Sequence, residues 1–276
     1  MMVDMSQNIN EIFNDECLNH IRYILKSEFR VGLIFSLYKS SKNLDELRED
    51  LNKPSTNIFK GLKDLKKYNL IWKNDKNYSL SFTGYFLALN LLNYYENWIV
   101  INSNKNFWNV HSINGLPEKF LLNMSFWDGA ELIESDNVNF EKPLNEYLKN
   151  ISNSKNIKIL LPIFSKIVID TIKSVIIKNE GIVKIITTEE ILESFYKCEY
   201  CSAFNNYIKQ GKLKISLINE DISLFLTCAD NFASLLLFFK DDGFFDDSSM
   251  LILHDISKIE SINMLLDYYR LKSTKL

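Results

Sequence analysis

The sequence predicts an α+β protein: an N-terminal winged helix-turn-helix, a long connecting helix, and a C-terminal α/β domain with a mixed sheet. Three observations predict it. Capped helical segments run to Tyr68 and are followed by two short strands around an Asn/Asp/Lys turn. A run with a single charged residue, Tyr85 to Asn104, comes next. Beyond it, β-branched strands alternate with helical stretches, the pattern of a layered sheet with parallel pairing. The domains are expected at 1–106 and 107–276.

Asn8 to Lys26 has Ile9, Ile12, Phe13, Cys17, Ile21 and Ile24 near helical spacing. Ser27 is placed to cap the next helix, Glu28 to Lys39, whose apolar stripe is Val31, Ile34, Phe35 and Tyr38. Asn43-Leu-Asp-Glu46 has the form of a capping box, opening a short helix that turns Leu44, Leu47 and Leu51 inward. Asn52-Lys53 makes a turn, Pro54 suits a helix start, and Ser55 to Tyr68 is helical. Asn69 stands where a left-handed residue ends a helix.

Leu70 to Lys73 and Tyr78 to Ser81 are the strands of a hairpin around Asn74-Asp-Lys-Asn77. This order is that of a winged helix-turn-helix. After Thr83-Gly84 the long helix carries Leu87, Leu91, Tyr94, Trp98 and Ile101 as one stripe, widened by Leu92 and Tyr95. So broad an apolar arc needs cover. Packing on the two domains and a homodimer interface both supply it.

In the second half, Lys158 to Ile163, Ile182 to Thr187 and Lys212 to Ile218 read as strands, separated by helical stretches to Lys178 and from Glu189 to Gln210. Ile222 to Cys228 and Phe232 to Phe239 read as antiparallel neighbours. Met250 to His254 is a last strand and Ile256 to Arg270 a closing helix.

A 46% hydrophobic and 24% charged composition is that of a globular chain. Met1 to Glu11 lacks the apolar segment of a secretory signal, and Tyr85 to Ile101 is broken by Asn90, Asn93, Glu96 and Asn97, short of a membrane span. A cytoplasmic protein without membrane association is expected. Four cysteines in 276 residues do not make a disulfide framework.

The net charge is −3, so any nucleic-acid footprint is local. It is found from Lys53 through Lys76: seven lysines against Asp64 and Asp75, a net +5. Ile58, Leu62 and Leu65 share one helix face, and Thr56, Lys60, Lys63 and Lys67 lie opposite, where a major groove would be met. Ser55, Thr56 and Asn57 can meet phosphate or base edges, and Lys73 and Lys76 of the hairpin the backbone. Double-stranded DNA is the expected partner. The helix has no arginine, so bidentate reading of guanine is not expected.

The chain resembles archaeal winged helix-turn-helix transcriptional regulators that carry a methanogenesis (filamentation-type) regulatory protein domain. The residues of the resemblance are Phe107-Trp-Asn-Val-His111-Ser-Ile-Asn-Gly115-Leu-Pro117, Gly129-Ala-Glu-Leu132, Thr187-Thr-Glu-Glu190, Phe232 to Asp241 and Leu266-Asp-Tyr-Tyr-Arg270. It implies a transcriptional regulator and no known effector. Lys197 to Ser202 departs from the pattern.

No catalytic constellation is read. A methyltransferase needs a glycine-rich turn after its first strand, but Phe164-Ser-Lys166 follows Ile163. No Gly-x-Ser-x-Gly, phosphate loop or His-x-Lys pair occurs. Cys198-Glu-Tyr-Cys201 has metal spacing but lacks two nearby ligands, so neither metal nor cofactor is expected. His111 is read as a structural, hydrogen-bonded residue. A small-molecule effector is expected beyond the carboxyl ends of the parallel strands, at Phe164, Thr187, Thr188 and Glu189, although Thr188 also suits a helix cap. The sequence thus points to a non-enzymatic, homodimeric DNA-binding regulator with a sensing or protein-docking second domain. The alternatives are a winged-helix-dimerised enzyme of methyltransferase-like arrangement and a protein-binding module that does not bind DNA.

Overall fold

The computed structural model describes residues 16–197 and 201–275. The chain divides into two compact units, the first ending at Tyr95 and the second spanning Glu96–Leu276.

The first unit contains helices α1 (Glu16–Leu25), α2 (Glu28–Lys39), α3 (Leu44–Leu51) and α4 (Ser55–Lys67), then the antiparallel pair β1 (Ile71–Asn74) and β2 (Asn77–Leu80). Helix α5 (Phe82–Ser103) follows. Of the expected first helix, residues 8–15 lie outside the described residues and the remainder forms α1. The anticipated caps are present. Ser27 Oγ accepts from the Arg30 amide at 3.3 Å. Asn43 Oδ1 accepts from the Asp45 and Glu46 amides at 2.9 and 3.1 Å, while the Glu46 carboxylate accepts from the Asn43 amide at 2.7 Å. Asn52 and Asn69 hold left-handed backbone, φ 49° and 54°. Ile34, Leu47, Ile58 and Leu65 are completely buried and form the centre of this unit.

Helix α5 begins three residues before Tyr85, for a local reason. Ser81 donates its hydroxyl to the Asn69 carbonyl at 2.6 Å and accepts from the Gly84 amide at 3.0 Å. Its amide donates to the Leu70 carbonyl at 2.9 Å. Thr83-Gly84, which reads as a break, is therefore the first turn of the helix. A Cβ at Gly84 would lie 1.9 Å from the Leu70 carbonyl oxygen, so only glycine permits this approach.

The second unit opens with the last turns of α5, from Glu96, followed by α6 (Lys105–Val110), α7 (Glu118–Leu121) and a 3₁₀ turn (Met124–Trp127). Then come β3 (Glu131–Glu134), α8 (Lys142–Ser152), β4 (Asn156–Leu160), α9 (Lys166–Lys178), β5 (Ile182–Thr187), α10 (Glu189–Lys197) and α11 (Cys201–Lys209). The chain continues through β6 (Leu213–Leu217), β7 (Leu224–Ala229), β8 (Ala233–Leu237), β9 (Ser249–Leu253), α12 (Ile256–Lys272) and β10 (Thr274–Lys275). The sheet is mixed, in the order β10-β6-β5-β4-β7-β8-β9-β3, with β4, β5 and β6 parallel and the other neighbours antiparallel. Strand β4 stops at Leu160, short of the expected Ile163, because Pro162 has no amide to continue a ladder between two neighbours. Strand β3 and helices α6, α7 and α8 are additions to the sequence reading.

Successive side chains alternate between the two faces of the sheet as the two-residue period requires, and β7, β8 and β9 are buried on both faces. Ile157, Ile159, Val183, Ile185 and Ile215 pack with Tyr147, Ile172 and Phe195 of the helices on one face. Leu160, Ile186, Leu226, Leu235 and Leu251 pack on the other with Ile259, Ile262 and Leu266 of α12. Phe107, Trp108 and Trp127 join this second core.

His111 is buried and held from both sides: Nδ1 lies 2.7 Å from the Phe107 carbonyl oxygen and Nε2 2.9 Å from Asp246 Oδ2. Its structural, hydrogen-bonded reading agrees with this geometry. Ser248 donates its amide and hydroxyl to Asp246 Oδ1 at 2.8 and 2.6 Å, and the Ser249 hydroxyl donates to Oδ2. Burial pushes the Asp246 carboxyl up, but the donors His111, Ser248 and Ser249 outweigh it and hold the group at about 2.

Two outcomes follow. Gly84→Ala should destabilise the first unit by about 1–3 kcal/mol despite alanine's better helix propensity, because a methyl meets a fixed carbonyl; urea unfolding measures this. Asp246→Asn should cost about 1.5–3 kcal/mol near neutral pH, since hydrogen bonds to a charged group are removed. With the folded pKa depressed, the carboxylate's stabilisation is complete above the ordinary value of roughly 3.9 and is lost as pH falls toward about 2. Unfolding curves between those limits should therefore converge for the two proteins.

Candidate nucleic-acid interface

Helix α4 turns Ile58, Gly61, Leu62 and Leu65 inward. Thr56, Asn57, Phe59, Lys60, Lys63, Lys66 and Lys67 are exposed on the remaining arc, and Ser55 is half-buried at its start. Pro54 occupies the cap position and offers no side-chain acceptor. The positive end of the helix dipole is thus left available to an anion.

The one carboxylate on α4 does not oppose the lysines. Asp64 accepts from the Tyr23 hydroxyl at 2.9 Å and lies 3.7 Å from Arg30 Nε. Arg30 in turn sits 3.8 Å over the Tyr23 ring. That hydrogen bond to Asp64 is the main reason the Tyr23 phenol is shifted up. Asp64 is therefore compensated from α1 and α2, and the outer arc keeps its positive field.

The hairpin exposes Lys73 and Lys76. Lys73 Nζ is 5.5 Å from the Tyr78 ring centroid, and Lys67 Nζ is 5.5 Å from that of Tyr68. Lys42 extends the wing, exchanging backbone hydrogen bonds with Tyr78 at 2.9 and 2.7 Å. Sequence reasoning passed over Phe59 and Trp72, which are 52% and 64% exposed beside these lysines. Helical spacing from Thr56 through Phe59 to Lys63, and the alternation of Ile71 with Trp72, are the signals that mark them. Lys66 was missed in the same way.

In the second unit, Thr187 is fully buried and its hydroxyl donates to the Leu161 carbonyl at 2.8 Å. Phe164 is half-buried with its ring 5.6 Å from that of Phe195. Thr188 Oγ1 lies 3.5 Å from the Ile191 amide at the start of α10, and Glu189 is exposed. A cleft of about 440 Å³ lies at these strand ends; Thr188 lines it, with Pro162, Glu190, Asp221 and Lys240.

Cys198 lies outside the described residues, and Cys201 begins α11. Among the described residues no cluster of three or more His, Cys, Asp or Glu is placed to hold a metal ion. Buried Cys228 has its thiol pushed up to about 12 by burial. No described helix is long and apolar enough to cross a membrane.

The N-terminal domain of the methanogenesis regulatory protein FilR1 matches residues 18–95, and the middle domain of the same protein matches residues 140–272. Each match falls within one compact unit. No curated protein sequence matches the chain. Among solved structures, the chain is similar to TrmBL2, an archaeal chromatin protein described with a novel mode of DNA binding, at 12% identity and a TM-score of 0.40 over 95% of this chain and 100% of that one. NucT from Helicobacter pylori is similar at 17% identity and a TM-score of 0.39, over 53% of this chain and 98% of that chain. Nuc from Salmonella typhimurium, a phospholipase D family member, gives 13% identity and a TM-score of 0.39 over 53% and 97%.

Proposed function

The chain belongs to the family of the methanogenesis regulatory protein FilR1, and on that premise we propose that it is a transcriptional regulator that binds duplex DNA through α4 and the hairpin. The observation that carries the reading is the outer arc of α4, where Lys60, Lys63, Lys66 and Lys67 are exposed while the only carboxylate is tied to Tyr23 and Arg30. Thr56 and Asn57 at the start of the helix meet phosphates or base edges, with Ser55 beside them. Lys73 and Lys76 reach the backbone from the wing. Lysine is a point charge without arginine's fork, so the contacts it supplies position the protein more than they read bases.

The second unit is the regulatory half and carries no reaction. Its effector cleft lies at the ends of the parallel strands and is lined by Thr188 and Glu190. Of the other expected residues, Glu189 is exposed outside the lining, Thr187 is buried with its hydroxyl on the Leu161 carbonyl, and Phe164 packs near Phe195.

The assembly is a homodimer built on α5. In this 22-residue helix Glu96 is the single charged residue. Tyr85, Phe86, Leu89, Tyr94, Trp98 and Ile99 are all more than two-fifths exposed. A second copy is the occupant that fits, because the exposed apolar side chains spread over a wide arc of the helix need cover and a symmetric pair would hold two DNA-binding modules for paired half-sites.

Fluorescence anisotropy with DNA from the protein's own upstream region tests the reading. Lys60→Ala with Lys63→Ala should weaken binding and lower the log–log salt slope by roughly 0.9 for each phosphate no longer neutralised. An unchanged slope in a folded variant would place the interface elsewhere. Light scattering at micromolar concentration should give twice the mass of one chain, and Trp98→Glu with Ile99→Glu should return it to a monomer. A monomeric wild type at every concentration removes the dimer.

A further inference from the structure

One row of side chains crosses six strands of the sheet in register: Lys214, Lys184, Lys158, Cys228, Ala233 and Leu253. All six face α12. Its Ile259 and Ile262 share one core with Cys228, Ala233 and Leu253, so the apolar half of the row is covered. The lysine half is not. Over β4, β5 and β6 the sheet is open as a cleft of about 530 Å³, lined by Leu266, Asp267 and Arg270 of α12 and reached by Ile208 and Gly211 from the end of α11 and the turn after it.

Three ammonium groups on neighbouring strands about 4.8 Å apart repel one another, and like charges placed directly opposite destabilise a sheet. Arg270 and Lys275 add two more cations at the rim of the cleft, and Asp267 is its one carboxylate. Asp267 is shared, 3.2 Å from Arg270 Nε and 3.9 Å from Lys158 Nζ. Lys158 also donates to Asn263 Oδ1 at 2.9 Å. Among the described residues no carboxylate forms an ion pair with Lys184 or Lys214. Burial, together with Lys158 and Lys214, pushes the Lys184 ammonium down. In the adjoining groove Asp230 accepts from the backbone amides of Lys155 and Asn156, which leaves Glu260 as the acid beyond the cleft's far end.

We propose that this cleft binds a small phosphorylated metabolite of nucleotide size, with its phosphates on Lys158, Lys184 and Lys214 and its less polar body against Ile186, Ile208 and Leu266. The volume is that of a small-molecule pocket. An aligned row of lysines, with Lys184 and Lys214 exposed, matches a chain of phosphates, and an anion entering the cleft relieves their mutual repulsion. Arg270 supplies the fork that a terminal phosphate takes up. The site is separate from the strand-end cleft, which none of these lysines lines. It gives the regulatory half of the preceding reading an anionic ligand.

Isothermal titration of the full chain with adenosine 5′-triphosphate, inorganic pyrophosphate and adenosine tests this without DNA present. The triphosphate should bind, pyrophosphate should bind more weakly, and adenosine should not bind. Lys184→Ala with Lys214→Ala should weaken triphosphate binding about tenfold or more by removing charge-assisted hydrogen bonds, whereas Lys60→Ala with Lys63→Ala on α4 should leave it unchanged. The Lys184/Lys214 variant should melt at or above the wild-type temperature, since repulsion is relieved. No heat from either phosphate compound at millimolar concentration overturns the proposal, as does a variant with wild-type affinity or a lower melting point. Loss of duplex DNA binding alone on substituting Lys184 and Lys214 overturns it too, in favour of a second nucleic-acid surface. Failure of DNA binding with triphosphate binding intact would count against the α4 reading and not against this one.

Discussion

Ile58, Leu62 and Leu65 leave water only if α4 turns one face onto the first core, and that requirement places everything else on the helix. The spacing of the three leaves no freedom of rotation. Lys60 and Lys63 must then point outward, and Asp64, next in sequence, falls on the flank where Tyr23 and Arg30 reach it. The positive arc is thus a consequence of burial on the opposite side. The same constraint acts in the sheet with period two. Ile157 and Ile159 are withdrawn under the helices, so Lys158 between them faces α12. Its register partners Lys184 and Lys214 are carried to the same face.

Polar groups settle what burial leaves undecided. In the first unit Ser81 links the end of α4 to the start of α5 through the Asn69 and Leu70 carbonyls, and Gly84 allows the two segments to touch. In the second unit His111 and Asp246, far apart in sequence, join the connecting stretch to the segment before β9. Ser248 and Ser249 complete the carboxylate's acceptor capacity, so the buried charge is fully hydrogen-bonded.

The parts legible in the sequence are those whose signals are local. The capping box at Asn43 and Glu46, the left-handed Asn69 and the hairpin turn all depend on residues within a few positions of one another, and each is found where the sequence puts it. The parallel pairing of β4, β5 and β6 was legible because β-branched runs alternate with helical ones, and β7 with β8 because only a short turn joins them. What escaped is non-local. Strand β3 is four residues long with polar ends, and it exists because β9 offers it an edge. Helix α8 is an exception: Leu144, Tyr147, Leu148 and Ile151 stand at helical spacing, a local signal that the sequence analysis passed over, and Tyr147 and Ile151 meet the sheet. Thr187 reads as an exposed hydroxyl at a strand end, but the Leu161 carbonyl takes its proton. The lysine row could not be read at all without the strand order, since its members stand 26 and 30 residues apart.

On the proposed DNA-binding reading, specificity comes from more than α4. The helix carries lysines and no arginine, and lysines favour phosphates, which every DNA sequence presents alike. Thr56 and Asn57 are the small polar side chains at its exposed start, and Phe59 is the apolar one best placed to meet a thymine methyl. A single module of this kind discriminates modestly. Two modules held at a fixed spacing discriminate far better, because a pair of half-sites in the right separation is rarer than either alone. In the proposed homodimer the nearly uncharged α5 and the lysine-bearing α4 are two parts of one recognition device: the first sets the distance and the second supplies the grip.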